Sequence, residues 1–322
     1  MANPFQPVAA RDHPRAWRRL GDIIFGVLTG VGGIIILVLV ALIAILLYHS
    51  SLLSIQTFGP QFFWTSTWNP ITNVYGVVPF VAGTLITSSI ALLIGVPLAL
   101  GSAIFITTRA PGWLRGPVGM VIELLAAIPS VVFGLWALYV VVPWMRESVD
   151  PLLAKYLGWT GLFGGTATGQ DVLTAGVVLA IMVIPTISAI SRETMAAVPP
   201  AQHEAALSLG ATDWEATRRA TIPYARLGIF GAVILGLGRA LGETMAVTMT
   251  IGNANVVPTS LFSQGASIAS LVANEFPSAT SPLEYSAIFE AALVLLVISI
   301  AVNVVARLMV WKVLKVHGAT AE

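Results

Sequence analysis

The stretch EAALSLGATDWEATRRATIP at residues 204–223 decides how this chain is read, because it is charged and soluble in character yet lies between two long apolar runs. Pro199 and Pro200 precede it and suit the first turn of a helix, where a missing N–H costs nothing. Gly210 stands where a helix ends on a left-handed residue. Thr212 followed by Glu215 has the Thr-x-x-Glu spacing of a capping box that opens a second helix, and Pro223 stops or kinks the chain beyond it. The sequence therefore predicts two short helices meeting at a bend. The first carries Ala205, Ala206, Leu207 and Leu209, a low-profile apolar surface on a segment outside the membrane. Such a surface fits a protein partner or the plane of lipid headgroups, and its spacing alone does not separate the two.

Working outward, the rest of the chain is far more apolar. Of 322 residues, 57% are hydrophobic and 10% charged, against the roughly 25% charged residues of a soluble domain. This is the composition of an integral membrane protein. Six apolar spans are drawn at about 20–48, 74–107, 117–142, 172–190, 224–251 and 286–311, each long enough for a helix to cross the bilayer. They form one transmembrane domain over 20–322, preceded by a tail at 1–19 and interrupted by the polar loop at 191–223.

Charge placement orients the spans. Arg11, Arg15, Arg18 and Arg19 precede the first; Arg109 and Arg115 fill the second loop; Arg192, Arg218, Arg219 and Arg226 flank the polar insert; Arg307, Lys312 and Lys315 mark the other end. The opposite loops hold only Arg146 and Lys155, and the stretches 49–73 and 252–285 hold neither Lys nor Arg. Both termini and the insert are therefore expected to face the cytoplasm. The first span, about twice the length of a signal h-region and without a small-residue cleavage site, reads as an anchor. A net charge of +1 without a basic stripe gives no sign of a nucleic-acid partner. The absence of cysteine excludes disulfides and thiolate chemistry. The chain has no Gly-Lys dipeptide and hence no phosphate-cradling loop for ATP.

Two charges fall inside the fifth span, in GLGRALGETMAV at residues 236–247. Arg239 lies near mid-depth at about 1.5 Å per residue. A charge there costs at least about 3 kcal/mol, so Arg239 is expected to face protein or water and to have a partner. Glu243, one turn on, is placed to pair with it. Gly238 and Gly242 form a Gly-x-x-x-Gly seam that lets another helix approach closely. One reading is a structural ion pair that orients this helix contact. The other is an oxyanion lure, with Arg239 offering its fork to cargo and Glu243 balancing it when the site is empty. Glu123 and Glu290 are further acids at membrane depth, more often interfacial or satisfied than functional. Pro79, Pro97, Pro129 and Pro185 lie in or near spans, where each invites a kink.

The spacing Glu204-Ala205-Ala206, Gly210 and Ile222-Pro223 resembles the EAA loop of ABC importer permeases, with Ile222 where that family usually has Leu. The resemblance implies that the loop forms coupling helices seated in a groove of an ATP-hydrolysing subunit, a role carried to Glu204, Ala205, Ala206 and Gly210. GRALGETMAV (238–247), LAAIPSVVFGLW (125–136) and PFVAGTL (79–85) are similar to phosphate-specific permeases of the PstC type, and with the loop they span most of residues 60–250. That resemblance implies an all-α, six-helix type I importer permease of the bacterial plasma membrane, with Arg239 and Glu243 matching residues implicated in phosphate transport. It further implies a non-catalytic chain that binds no cofactor, with ATP and Mg on two separate ATPase subunits. The remaining partners it implies are a homologous second permease and an extracytoplasmic phosphate-binding protein. Two alternatives remain open at this point. The cargo could be sulfate or another oxyanion, since an arginine alone does not distinguish them. A proton-coupled secondary transporter would need no ATPase, but no inverted repeat is visible.

Overall fold

The computed structural model describes residues 15–318 and is all-helical among them. Most of the expected tail at 1–19 lies outside the described residues. In chain order the helices are α1 (Arg15–Phe58), α2 (Val78–Ile104), α3 (Gly112–Ala127), α4 (Ser130–Trp136) and α5 (Asp150–Leu157). Next come α6 (Val172–Ala196), α7 (Pro200–Ser208), α8 (Asp213–Ala216), α9 (Ile222–Gly242), α10 (Met245–Thr250), α11 (Ile268–Glu275) and α12 (Pro282–Gly318). Irregular π-helical and short helical turns carry residues 137–149 from α4 to α5. Among the described residues five helical segments are long and apolar enough to cross a membrane, or six if α3 and the helical run after it count as one broken span.

Two units divide the chain, residues 1–49 and 50–322. The first is the opening part of α1, whose apolar side chains, Phe25, Leu28, Leu37 and Leu46 among them, are mostly exposed. The second contains the packed core, with α6 at its centre: two thirds of the most apolar window of α6 is buried.

Small residues let the core close. Between apolar helices in lipid there is little hydrophobic gain, so association depends on close packing of backbones. On α2 the residues at every fourth position, Gly83, Thr87, Ala91, Gly95, Ala99 and Ala103, are all buried. Four-residue spacing places them on one face, and that face meets α6: a Cβ at Gly95 would run into Val183 and Ala180. The same device recurs on α9, where Gly228, Ala232, Gly236 and Ala240 come at intervals of four. A Cβ at Gly236 would strike Ile187, and one at Gly228 would strike Thr194. Asp171 caps α6, its Oδ1 accepting the Thr174 N–H at 2.8 Å.

The structure differs from the six unbroken spans drawn from sequence at two places. The third span is two helices, α3 and α4, bent by 95° across Ile128-Pro129. Ile128 has ψ 129° and Pro129 ψ 141°, the extended backbone that a proline imposes on itself and its predecessor. Of the four prolines in or near spans, Pro129 sits at this break. Pro97 and Pro185 lie inside continuous helices, and Pro79 sits in the first turn of α2. The fifth span breaks after Gly242, where Glu243 takes up extended backbone and α10 begins two residues on.

The loop after α1 is rich in aromatic residues. Trp64 is exposed, but Phe62, Trp68 and Tyr75 are buried with Phe80. The Trp68 ring lies edge-on to Tyr75 at 4.8 Å and to Phe80 at 5.3 Å between centroids.

Replacing Gly95 or Gly236 with Leu is expected to lower the thermal stability of the purified chain by several degrees, since the added side chain would overpack against Val183 and Ala180 or against Ile187. Gly238→Leu, at an open position, is expected to leave that stability unchanged. Circular-dichroism melts of the three variants check the contrast.

Candidate functional site

The polar hairpin is built by local chemistry. α7 starts at Pro200 and has no buried residue. It ends through Gly210, whose φ of +85° is the left-handed conformation favoured by glycine. Glu204 and Ala205 are exposed and Ala206 half-buried, while Leu209 stands 89% exposed. The capping box that opens α8 is complete: Thr212 Oγ1 accepts the Glu215 N–H at 3.3 Å, and the Glu215 carboxylate accepts the Thr212 N–H at 2.9 Å. A π-helical turn, Thr217–Thr221, then joins α8 to α9. Residues 213–242 thereby form one helical segment of 30 residues. His203, on α7, reaches back to this segment at both Asp213 and Thr221.

At the far end of that segment stands Arg239, half-buried, with its Nη1 donating to Thr186 Oγ1 of α6 at 3.1 Å. The expected pairing with Glu243 is not made: among the described residues no carboxylate lies within ion-pair distance of Arg239. The reason is local. The i, i+4 geometry needs an unbroken helix, and α9 stops at Gly242, leaving Glu243 half-buried with φ −70° and ψ 126°. The Gly-rich run GLGRALG weakens the helix at this end, each glycine costing about 1 kcal/mol relative to Ala. Non-helical backbone at membrane depth is tolerated where it is covered by protein or lines a wet cavity.

Gly238 and Gly242 are exposed, and an added Cβ at either would meet nothing within 4 Å. Within this chain the close-packed glycines of α9 are instead Gly228 and Gly236, on a different face. The Gly238–Gly242 seam is thus unpartnered here and open to a helix from elsewhere. Glu123 of α3 is satisfied by Arg192 of α6, Nη2 to Oε1 at 2.5 Å. Gly119, one turn before Glu123, leaves the room that the guanidinium occupies. Glu290 is buried beside Ser54. It lines a cavity of about 860 Å³ that is otherwise apolar and that Arg239 does not line.

Sequence reasoning missed Thr186, Arg192 and His203. Thr186 carries no sequence signal, since only the close approach of α6 and α9 at Gly236 brings it opposite Arg239. Arg192 reads in the sequence as a topology charge. His203 adjoins the Glu-Ala-Ala run but shares no spacing rule with Asp213 or Thr221.

Comparison with known proteins gives a consistent result. Residues 95–315 match the family model described as binding-protein-dependent transport system inner membrane component. The chain is 44% identical to the phosphate transport system permease protein PstC of Mesorhizobium japonicum, over 91% of each chain. It is 46% identical to the protein of the same name from Haemophilus influenzae, over 90% of this chain and 93% of that one. Among solved structures, a bacterial alginate ABC transporter in complex with an alginate-bound periplasmic protein has a chain of the same fold. It matches with TM-score 0.60 at 17% identity, over 93% of this chain and 98% of that one.

Thr212→Ala removes the cap of α8 and is expected to cost the hairpin about 1 kcal/mol. Hydrogen exchange of the amides at 213–217 should accelerate roughly fivefold, with α6 unaffected.

Proposed function

The chain belongs to the inner membrane components of binding-protein-dependent transport systems, and on that premise we propose that it is the membrane-spanning permease subunit of an ATP-driven phosphate importer. The observation that carries this reading is Arg239: a cation at membrane depth, held by a neutral hydroxyl and without a carboxylate partner among the described residues. A guanidinium so placed retains its charge and its two-pronged donor geometry for an oxyanion. In a low-dielectric passage that attraction is far stronger than in water. Glu243, freed from the helix face by the break after Gly242, supplies the opposing charge that keeps a bound anion from being trapped. Phosphate as cargo is supported by the relatives named for phosphate transport, at 44% and 46% identity over nine tenths of the chain.

The exposed hairpin is the docking element. Glu204, Ala205 and Ala206 present the low-profile surface, and Gly210 sets the bend. Its partners are two ATPase subunits, which carry ATP and Mg. A homologous permease packs along the Gly238–Gly242 seam, and an extracytoplasmic phosphate-binding protein delivers cargo to the outer loops. The basic loops put both termini and the hairpin in the cytoplasm. This chain catalyses no bond-breaking. It passes cargo by alternating access, in which movement of the docked hairpins biases the spans between outward- and inward-open states through differential contacts in each.

In proteoliposomes holding the assembled complex and the binding protein, Arg239→Gln is expected to reduce phosphate uptake at least tenfold. Arg239→Lys should retain part of it, because an ammonium keeps charge but loses the bidentate fork. Normal uptake by Arg239→Gln removes Arg239 from the path.

A second measurement tests the support given by Thr186. Thr186→Val is expected to lower uptake several-fold while leaving the melting temperature within about 2 °C, since a single half-buried hydrogen bond contributes about 1 kcal/mol.

A further inference from the structure

His203 is the side chain of α7 that hydrogen-bonds both the start of α8 and the foot of α9. Its Nε2 lies 3.2 Å from Asp213 Oδ1, at the start of α8, and its Nδ1 lies 3.3 Å from Thr221 Oγ1, at the foot of α9. One neutral tautomer satisfies both contacts: Nε2–H donates to the carboxylate, and Nδ1 accepts from the threonine hydroxyl. Without this ring, α7 is held to the rest of the hairpin by the turn at Gly210 and two backbone bonds. These run from Gly210 N–H to Leu207 C=O at 2.9 Å and from Ala211 N–H to Ala206 C=O at 3.2 Å. A left-handed glycine turn is a poor conveyor of torque, and no residue of α7 is fully buried.

The segment gripped by His203 is the one that bears Arg239. Thr221 closes the π-helical turn, an irregularity often found where helices do functional work. Arg239 lies eighteen residues further along the same rod, about 27 Å away at 1.5 Å per residue.

We propose that His203 is a positioning residue for transport, a clasp through which displacement of the docking helix α7 enters the α8–α9 rod and reaches Arg239. The inference rests on the reading of the hairpin as the ATPase-docking element. A force applied at Glu204, Ala205 and Ala206 passes through the imidazole to Asp213 and Thr221. The rod then moves as one body instead of letting α7 swing about Gly210.

The test uses the complete complex in proteoliposomes, with phosphate uptake and ATP hydrolysis measured in the same vesicles. Because this chain has no native cysteine, Ala205→Cys reports docking through a crosslink to the ATPase subunit. His203→Ala is expected to keep that crosslink and most of the hydrolysis. Phosphate moved per ATP should fall roughly tenfold, the weight of one or two net hydrogen bonds. His203→Gln, whose amide offers a donor and an acceptor, should restore the ratio to within about twofold, and Thr221→Val should reproduce part of the loss. An unchanged ratio in His203→Ala with the crosslink intact overturns the clasp alone. Loss of the crosslink in His203→Ala also overturns it, assigning the residue to the docking surface. No crosslink in the otherwise unaltered chain overturns the docking reading and the clasp with it.

Discussion

The architecture depends on helices approaching closely enough for dispersion to replace the hydrophobic effect. Lipid tails are as apolar as leucine, so burying leucine between two helices gains little over leaving it in the bilayer. The packed state is distinguished by its density of van der Waals contact, which falls steeply once backbones separate by the width of a side chain. The four-residue stripes on α2 and α9 remove those side chains where each helix meets α6, and Val183 and Ile187 fill the resulting grooves. α6 thereby becomes the fixed axis of the subunit.

That axis also sets the surroundings of Arg239. Because Gly236 draws α9 against α6, Thr186 comes within hydrogen-bond distance of Arg239. The break after Gly242 then turns Glu243 off the helix face, so the positive charge is oriented without being neutralised. For the anion-binding role proposed above, a salt bridge at this position would be a handicap, since an anion would first have to displace a carboxylate, whereas an arginine held by a hydroxyl keeps its charge available.

Much of the polar hairpin was legible directly. Gly210 at a left-handed turn, Pro200 in a first turn and the Thr212–Glu215 capping box are contacts within a few residues, so residue type and spacing specify them almost completely. The presence of Arg239 inside an apolar segment was equally readable from hydropathy. Its partner was not, because the i, i+4 rule assumes a helix that continues. The same assumption drew the third span as one piece across Pro129, although a proline marks a place where a helix can bend. Gly238 and Gly242 were recognised as a seam, yet the glycines of α9 that pack against α6 are Gly228 and Gly236. Equal spacing in sequence cannot say which face of a helix turns toward its own chain and which toward a neighbour.

The amino-acid sequence by itself determined the membrane class, the apolar segments, the polar hairpin with its caps, and the presence of a charge within an apolar segment. All of these arise from local composition, periodicity and short-range hydrogen bonding. Tertiary structure alone decided that Thr186, not Glu243, holds Arg239, that Arg192 satisfies Glu123, and that His203 bridges Asp213 and Thr221. Each of those contacts joins residues separated by a turn or a span, and which side chains meet across such a gap is set by helix rotation and crossing, quantities that arise only when the whole set of helices packs together.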